Sequence, residues 1–288
     1  MRRQFKDTIT ELAATDDRIV VILGDISHHA FKDYQAKFPA RFFNMGICEN
    51  ALVSIAAGLS AQGFHPIVHT IAPFITERSL EQIKVDMSYN GFGGNIASTG
   101  GSFDYAWDGP THHCYTDLAI LRLIPGVEVI QPGSEADFDT LFRRLYNNGR
   151  TTYFRLSDNP HQIKTACEFG RAQVLKDAGG QVTVMTAGPI LAEVLAGTAN
   201  LPVNVVYFTT IKPIDVETIQ RFRQTKIIVI NDAYGLHEAV CEVPGLNVSS
   251  YGPPQEFSTT YGTVHDIRRS LGLDPASIAA HVSAALRS

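Results

Sequence analysis

Glu49 heads a helical stretch. The other places where this sequence gathers groups able to hold charge or move protons are Asp108-Gly109-Pro110-Thr111-His112-His113, Arg155 and the pair His28-His29. Read singly, each has a modest meaning. A glutamate in a first helical turn favours the positive end of the helix dipole. Asp-Gly-Pro forms a turn readily. Arg155, closing the run Tyr153-Phe154-Arg155-Leu156, carries a planar fork that fits a phosphate or a surface carboxylate. Adjacent histidines diverge in direction on helix or strand, so His28-His29 and His112-His113 are each poor two-ligand metal sites. Cys48, Cys114, Cys167 and Cys241 are scattered with no CxxC, the pattern of reduced thiols and not of a disulfide frame or zinc site. No GxGxxG follows a strand, and GxxxxGK[ST], HExxH and GxSxG do not occur, so nucleotide, zinc-protease and serine-hydrolase readings have no anchor.

The elements that must position these residues follow from the apolar pattern. Of 288 residues, 44% are hydrophobic, ample for one or two packed domains. With 24 basic against 29 acidic side chains and no basic block, the charge argues against a nucleic-acid or membrane-surface partner. No apolar run approaches the ~20 residues that span a bilayer, and no signal-peptide core follows the basic start, which predicts a cytoplasmic protein. Short β-branched runs at 18–25, 64–70, 95–99, 127–131 and 152–156 read as strands, the first as one buried on both faces of a parallel sheet. Helices are expected at 3–14, 49–62, 77–89 and 135–147, the last capped by Ser134. A second alternating set begins near 182, with strands at 182–186, 203–208, 227–231 and 247–251. This is an α/β protein of two consecutive α/β domains with mainly parallel sheets. The expected division is 1–165, a polar linker at 166–180 containing Gly179-Gly180, and 181–288.

One stretch stands apart. Phe38-Pro39-Ala40-Arg41-Phe42-Phe43-Asn44-Met45-Gly46-Ile47-Cys48-Glu49-Asn50 resembles the signature of the pyrimidine-binding domain of thiamine-diphosphate enzymes, specifically the transketolase group. Asp108-Gly109-Pro110-Thr111-His112-His113 is similar to that group's DGPTHQ loop, with His113 in place of glutamine. Leu121-Arg122, Ile124-Pro125, Val127 and Val129 fit the family's next strand. Ile211-Lys212-Pro213-Ile214-Asp215 and Tyr251-Gly252-Pro253-Pro254-Gln255-Glu256-Phe257 resemble the transketolase C-terminal domain. The resemblance covers nearly the whole chain, with its motifs in family order. The family's diphosphate-binding domain, with its GDG…N motif, has no counterpart: Gly24-Asp25-Ile26 lacks the second glycine.

The resemblance implies the C-terminal subunit of a split transketolase, with thiamine diphosphate as cofactor and Mg2+ held on an N-terminal diphosphate-binding partner. This chain would hold no metal. An α2β2 heterotetramer would move a two-carbon ketol unit from a ketose donor to an aldose acceptor. The resemblance gives Glu49 the place of the carboxyl that hydrogen-bonds the aminopyrimidine, a catalytic role shared with His112 near the reacting oxygens. Phe74 would stack on the pyrimidine, and Asp25 joins these two as a cofactor residue. Asp108, His112, Arg155, His28 and His29 would meet small sugar substrates. Arg2 or Arg3 would fill the position of a further family arginine. Gly100 stands where sugar transketolases place a histidine, so the phosphate end of the site is altered. The resemblance leaves two other readings open. One is a decarboxylating subunit like deoxyxylulose-phosphate synthase or a 2-oxoacid dehydrogenase beta chain; the other is a non-catalytic assembly subunit.

Overall fold

Five consecutive apolar residues make Ile19–Leu23 (β1) a strand that suits only a position covered on both faces, and all five are buried. The structure, a computed structural model, describes residues 1–287. β1 pairs in parallel with Phe42–Asn44 (β2) on one side and His65–Ile71 (β3) on the other. Beyond β3 the sheet continues through Gly94–Thr99 (β4), with Thr151–Arg155 (β6) next to it and Val127–Ile130 (β5) outside that, all parallel. The chain thus leaves β1 toward one edge, then crosses back to β3 and builds toward the other. Parallel sheets open a crevice beyond their strand ends at such a reversal.

Helices cover both faces. The helix Arg2–Ala13 lays Phe5, Ile9 and Ala13 against Phe138 and Phe142 of the helix Glu135–Leu145. Ser134 caps that second helix, as its sequence predicts, and Asp137 returns the bond. On the opposite face the helix Glu49–Ala61 buries Leu52, Val53, Ala56 and Ala57. A second sheet holds Gln173–Lys176 (β7), Val182–Ala187 (β8), Asn204–Phe208 (β9), Lys226–Ile230 (β11) and Asn247–Tyr251 (β12) in the order β12-β11-β8-β9-β7. The two sheets and their helices make an α/β fold.

Several elements differ from the sequence expectation, among them β2, which no expected run covers. β7 lies inside the stretch read as a linker, 166–180, and pairs antiparallel with β9; only partly buried, it lacks the apolar run that marks an interior strand. Thr210–Lys212 (β10), just after β9, leaves the second sheet and pairs antiparallel with β5, extending the first. The Lys212 ammonium secures it, donating to the carbonyls of Arg122 (2.8 Å) and Ile124 (2.5 Å). The helix expected at 77–89 begins earlier, at Ala72–Arg78, because Pro73 suits a first helical turn, where its missing N–H costs nothing. It is interrupted at Ser79, and Ile83–Tyr89 runs on as a π-helix.

Between the sheets lies a buried ionic seam. Arg155 at the end of β6 meets Asp117 at 3.1 Å, and both side chains are nearly inaccessible, 3% and 0% exposed. Arg268 pairs with Asp232 (2.7 Å) and Glu193 (2.6 Å), and the Ser102 hydroxyl donates to Asp232 at 2.7 Å.

Candidate active site

The crevice predicted by the strand reversal is a cleft of about 710 Å³, and its floor starts where β1 ends. A Cβ at Gly24 would stand 2.8 Å from Thr70 Oγ1, so only glycine lets the chain pass the end of β3 there. Beyond it Asp25 (φ +69°) and Ser27 (φ +64°) adopt left-handed backbone, which costs a non-glycine residue roughly 1 kcal/mol or more and persists only where neighbours enforce it. Both are enforced. The Asp25 amide donates to Asn44 Oδ1 (3.0 Å), and Asn44 Nδ2 donates back to Asp25 Oδ1 (3.1 Å). Ser27 Oγ lies 2.9 Å from His69 Nε2, while His69 Nδ1 lies 2.6 Å from the Ala97 carbonyl. A carbonyl only accepts, so Nδ1 carries the hydrogen and Nε2 accepts from the serine hydroxyl. Burial holds the His69 pKa down at about 4 and keeps the ring neutral.

The walls carry the reactive groups. Glu49 enters from the first turn of its helix with its side chain only 3% exposed. Its Oε2 accepts from Arg78 Nη1 at 3.2 Å, whereas Oε1 is buried with no hydrogen-bond partner. Phe74, on the helix that follows β3, also lines the cleft. The Arg78 guanidinium carbon sits 4.1 Å from the centre of its ring. His112 meets Phe74 at a steep angle with ring centres 5.2 Å apart, and Tyr105 and then Trp107 continue the aromatic chain outward.

The structure brings most of the sequence-nominated residues together. Asp25, His28, His29, Glu49 and Phe74 line one cleft, and Arg2, Arg3 and Lys6 approach it from the first helix. His112 joins through its contact with Phe74, and its Nδ1 lies 2.9 Å from the Thr111 hydroxyl. Asp108 is exposed just ahead of the turn Gly109–Thr111. Arg155 does not reach the cleft. Its position at a strand end is as expected, but β6 delivers it to the seam, where Asp117 and the Cys114 carbonyl (2.5 Å) occupy its fork. Arg2 is likewise engaged, donating through Nε and Nη2 to the two Asp158 oxygens at 2.9 and 2.8 Å. Arg3 keeps an exposed side chain, 3.8 Å from Asp7.

Two residues of the site escape sequence reasoning. Arg78 looks like an ordinary basic residue at a helix end, and His69 like one of ten histidines in a strand. Nothing at the level of spacing joins either to Glu49 or Ser27.

Residues 1–160 match the family described as "Transketolase, pyrimidine binding domain". The chain belongs to this family. Over 96% of its length it is 30% identical to an apulose-4-phosphate transketolase subunit from Phocaeicola vulgatus, covering 94% of that chain. It is 29% identical over 95% of its length to a "1-deoxy-D-xylulose-5-phosphate synthase" from Oleidesulfovibrio alaskensis, of which it covers 46%. A solved structure described as "Split gene transketolase, inactive beta4 tetramer" superposes with a TM-score of 0.88 at 29% identity, covering 99% of this chain and 98% of that one. A transketolase-type subunit of the C-terminal kind is therefore the frame for this cleft. No helix among the described residues is long and apolar enough to cross a membrane.

Proposed function

We propose that this chain is the C-terminal subunit of a split transketolase-type enzyme, with residues 1–165 forming the pyrimidine-binding half and 181–288 the C-terminal half. It would carry a two-carbon ketol unit from a ketose to an aldehyde acceptor. The observation that supports this most directly is the free, buried Oε1 of Glu49 beside Phe74. An unpartnered acceptor at that depth is costly unless a ligand supplies a donor. The cofactor's pyrimidine in its imino tautomer, with a ring N–H and a flat face for Phe74, fits that requirement. Family membership implies thiamine diphosphate dependence. When bound, that cofactor supplies the carbon nucleophile that takes up and releases the two-carbon unit.

The residues of this chain would then orient and relay. Glu49 Oε1 accepts the ring N–H, and Phe74 and Asp25 bound the seat. His112 holds or moves a proton at the substrate oxygens. Asp108 accepts from a donor hydroxyl at the open mouth of the site, which favours the epimer that presents that hydroxyl. His28 and His29, held by the Asp25–Ser27 turn, meet the far end of the sugar. The names of the relatives support a partner: one is a transketolase subunit, and the β4 assembly of the other is described as inactive. The partner would bind the diphosphate and Mg2+, in an α2β2 arrangement.

The test is ketol transfer by the chain mixed with a diphosphate-binding subunit, wild type against Glu49→Gln. At least a 100-fold loss of kcat in the variant is expected, about 2.7 kcal/mol. An unchanged rate would end the assignment of Glu49. The likeness to the synthase supports a second reading with a decarboxylating donor; release of carbon dioxide on turnover selects that reading over ketol transfer.

A further inference from the structure

Glu49 is almost wholly buried, and a buried carboxylate needs a cation or donors when no ligand is present. Arg78 meets that need from an unusual position. Its guanidinium donates to Glu49 Oε2 with its central carbon over the Phe74 ring, 4.1 Å from the ring centre, yet its side chain is 51% exposed. It therefore touches both groups that define the seat. It does so with a planar N–H donor, and planarity and a ring N–H are what the imino tautomer of a stacked pyrimidine would bring to the same two residues. The Phe74 face and the Oε2 oxygen held this way cannot receive a second flat donor while the guanidinium stays in place. Arg78 ends the helix Ala72–Arg78, just before the break at Ser79, and its outer part is already in solvent, so withdrawing it disrupts no core packing.

We propose that Arg78 is a gate on the pyrimidine seat: its guanidinium occupies the space between Glu49 and Phe74 in the empty chain and swings outward when the cofactor ring enters. This rests on the reading of Glu49 and Phe74 as that seat. Withdrawal breaks an ion pair and a cation–π contact, so the closed gate weakens ring binding by the free chain. The same contact satisfies one oxygen of Glu49, Oε2, and leaves Oε1 for the ring.

The experiment uses the full chain without a partner and thiamine as probe, since thiamine carries the aminopyrimidine and no diphosphate. Binding is followed at millimolar thiamine by calorimetry and by the fluorescence of Trp107, the single tryptophan, which joins the site through Tyr105 and His112. Arg78→Ala is expected to bind thiamine about tenfold more tightly than wild type, equivalent to roughly 1.4 kcal/mol. Arg78→Gln, which keeps a donor for Glu49 but no charge, should fall between them and guards against a misfolded alanine variant. Phe74→Ala in the Arg78→Ala background should remove the gain. If Arg78→Ala and Arg78→Gln bind thiamine no better than wild type while Phe74→Ala still weakens binding, the gate is overturned and the seat stands. If neither wild type nor any folded variant binds thiamine, the seat itself is wrong and the gate goes with it.

Discussion

Two of the buried acids met by an arginine in this molecule, Asp117 and Glu49, have partners that differ in one respect. Asp117 and Arg155, in the seam between the sheets, are both hidden from solvent. Glu49 is as deeply buried as Arg155, but its partner Arg78 is half exposed. When both charges are enclosed, neither can leave without stranding the other in low dielectric, so the pair is fixed structure. When one partner keeps a path to water, it can be exchanged for a ligand at modest cost. Exposure of the cation, more than distance, thus separates a strut from a latch: the two contacts are 3.1 and 3.2 Å long.

This contrast is open to breaking by mutation. Arg155→Gln should cost about 3–5 kcal/mol of unfolding free energy, read from urea midpoints, because it leaves Asp117 buried without its cation. A loss under 1 kcal/mol would remove the distinction between the pairs. The turn that shapes the cleft should show itself through pH. His69 is held near pKa 4 against an ordinary 6.5, so the unfolded chain takes its proton first. Its contribution is complete above about pH 6.5 and is lost as pH falls toward 4, a total of about 3 kcal/mol. His69→Gln should flatten that part of the stability profile. Asp104 runs the other way: burial raises its carboxyl to about 6, so its contribution is present at low pH and lost as pH rises from about 4 to 6. The Asp104→Asn profile separates the two groups. The smallest effect belongs to the latch itself. Arg78→Gln should cost about 1 kcal/mol in the same urea experiment, since a donor to Glu49 remains.

What the sequence made legible tracks how locally each feature is encoded. β1 could be placed to within two residues because an unbroken apolar run between polar flanks is a local signal. Ser134, directly ahead of its helix, announces a cap, and the structure adds Asp137 as its reciprocal partner. β7 and β10 were hidden: they are three or four residues long, and each pairs antiparallel at a sheet edge with a strand chosen by tertiary packing. The site divides in the same way. Glu49 and Phe74 lie in or near contiguous motifs. Arg155 shows the limit, since a strand-end arginine can be read from sequence but the carboxylate that takes it, 38 positions away at Asp117, cannot. Arg78 and His69 act through contacts across 29 and 42 positions, with no motif to join them to their partners.

The most direct test of the account is a calorimetric titration of thiamine diphosphate with Mg2+ into three samples. These are this chain alone, this chain with a diphosphate-binding transketolase subunit, and the same mixture carrying Glu49→Gln. Saturable, tight binding is expected only in the wild-type mixture, with affinity reduced in the variant. Tight binding by the isolated chain, or a variant mixture indistinguishable from wild type, would contradict a split enzyme whose pyrimidine seat is built on Glu49.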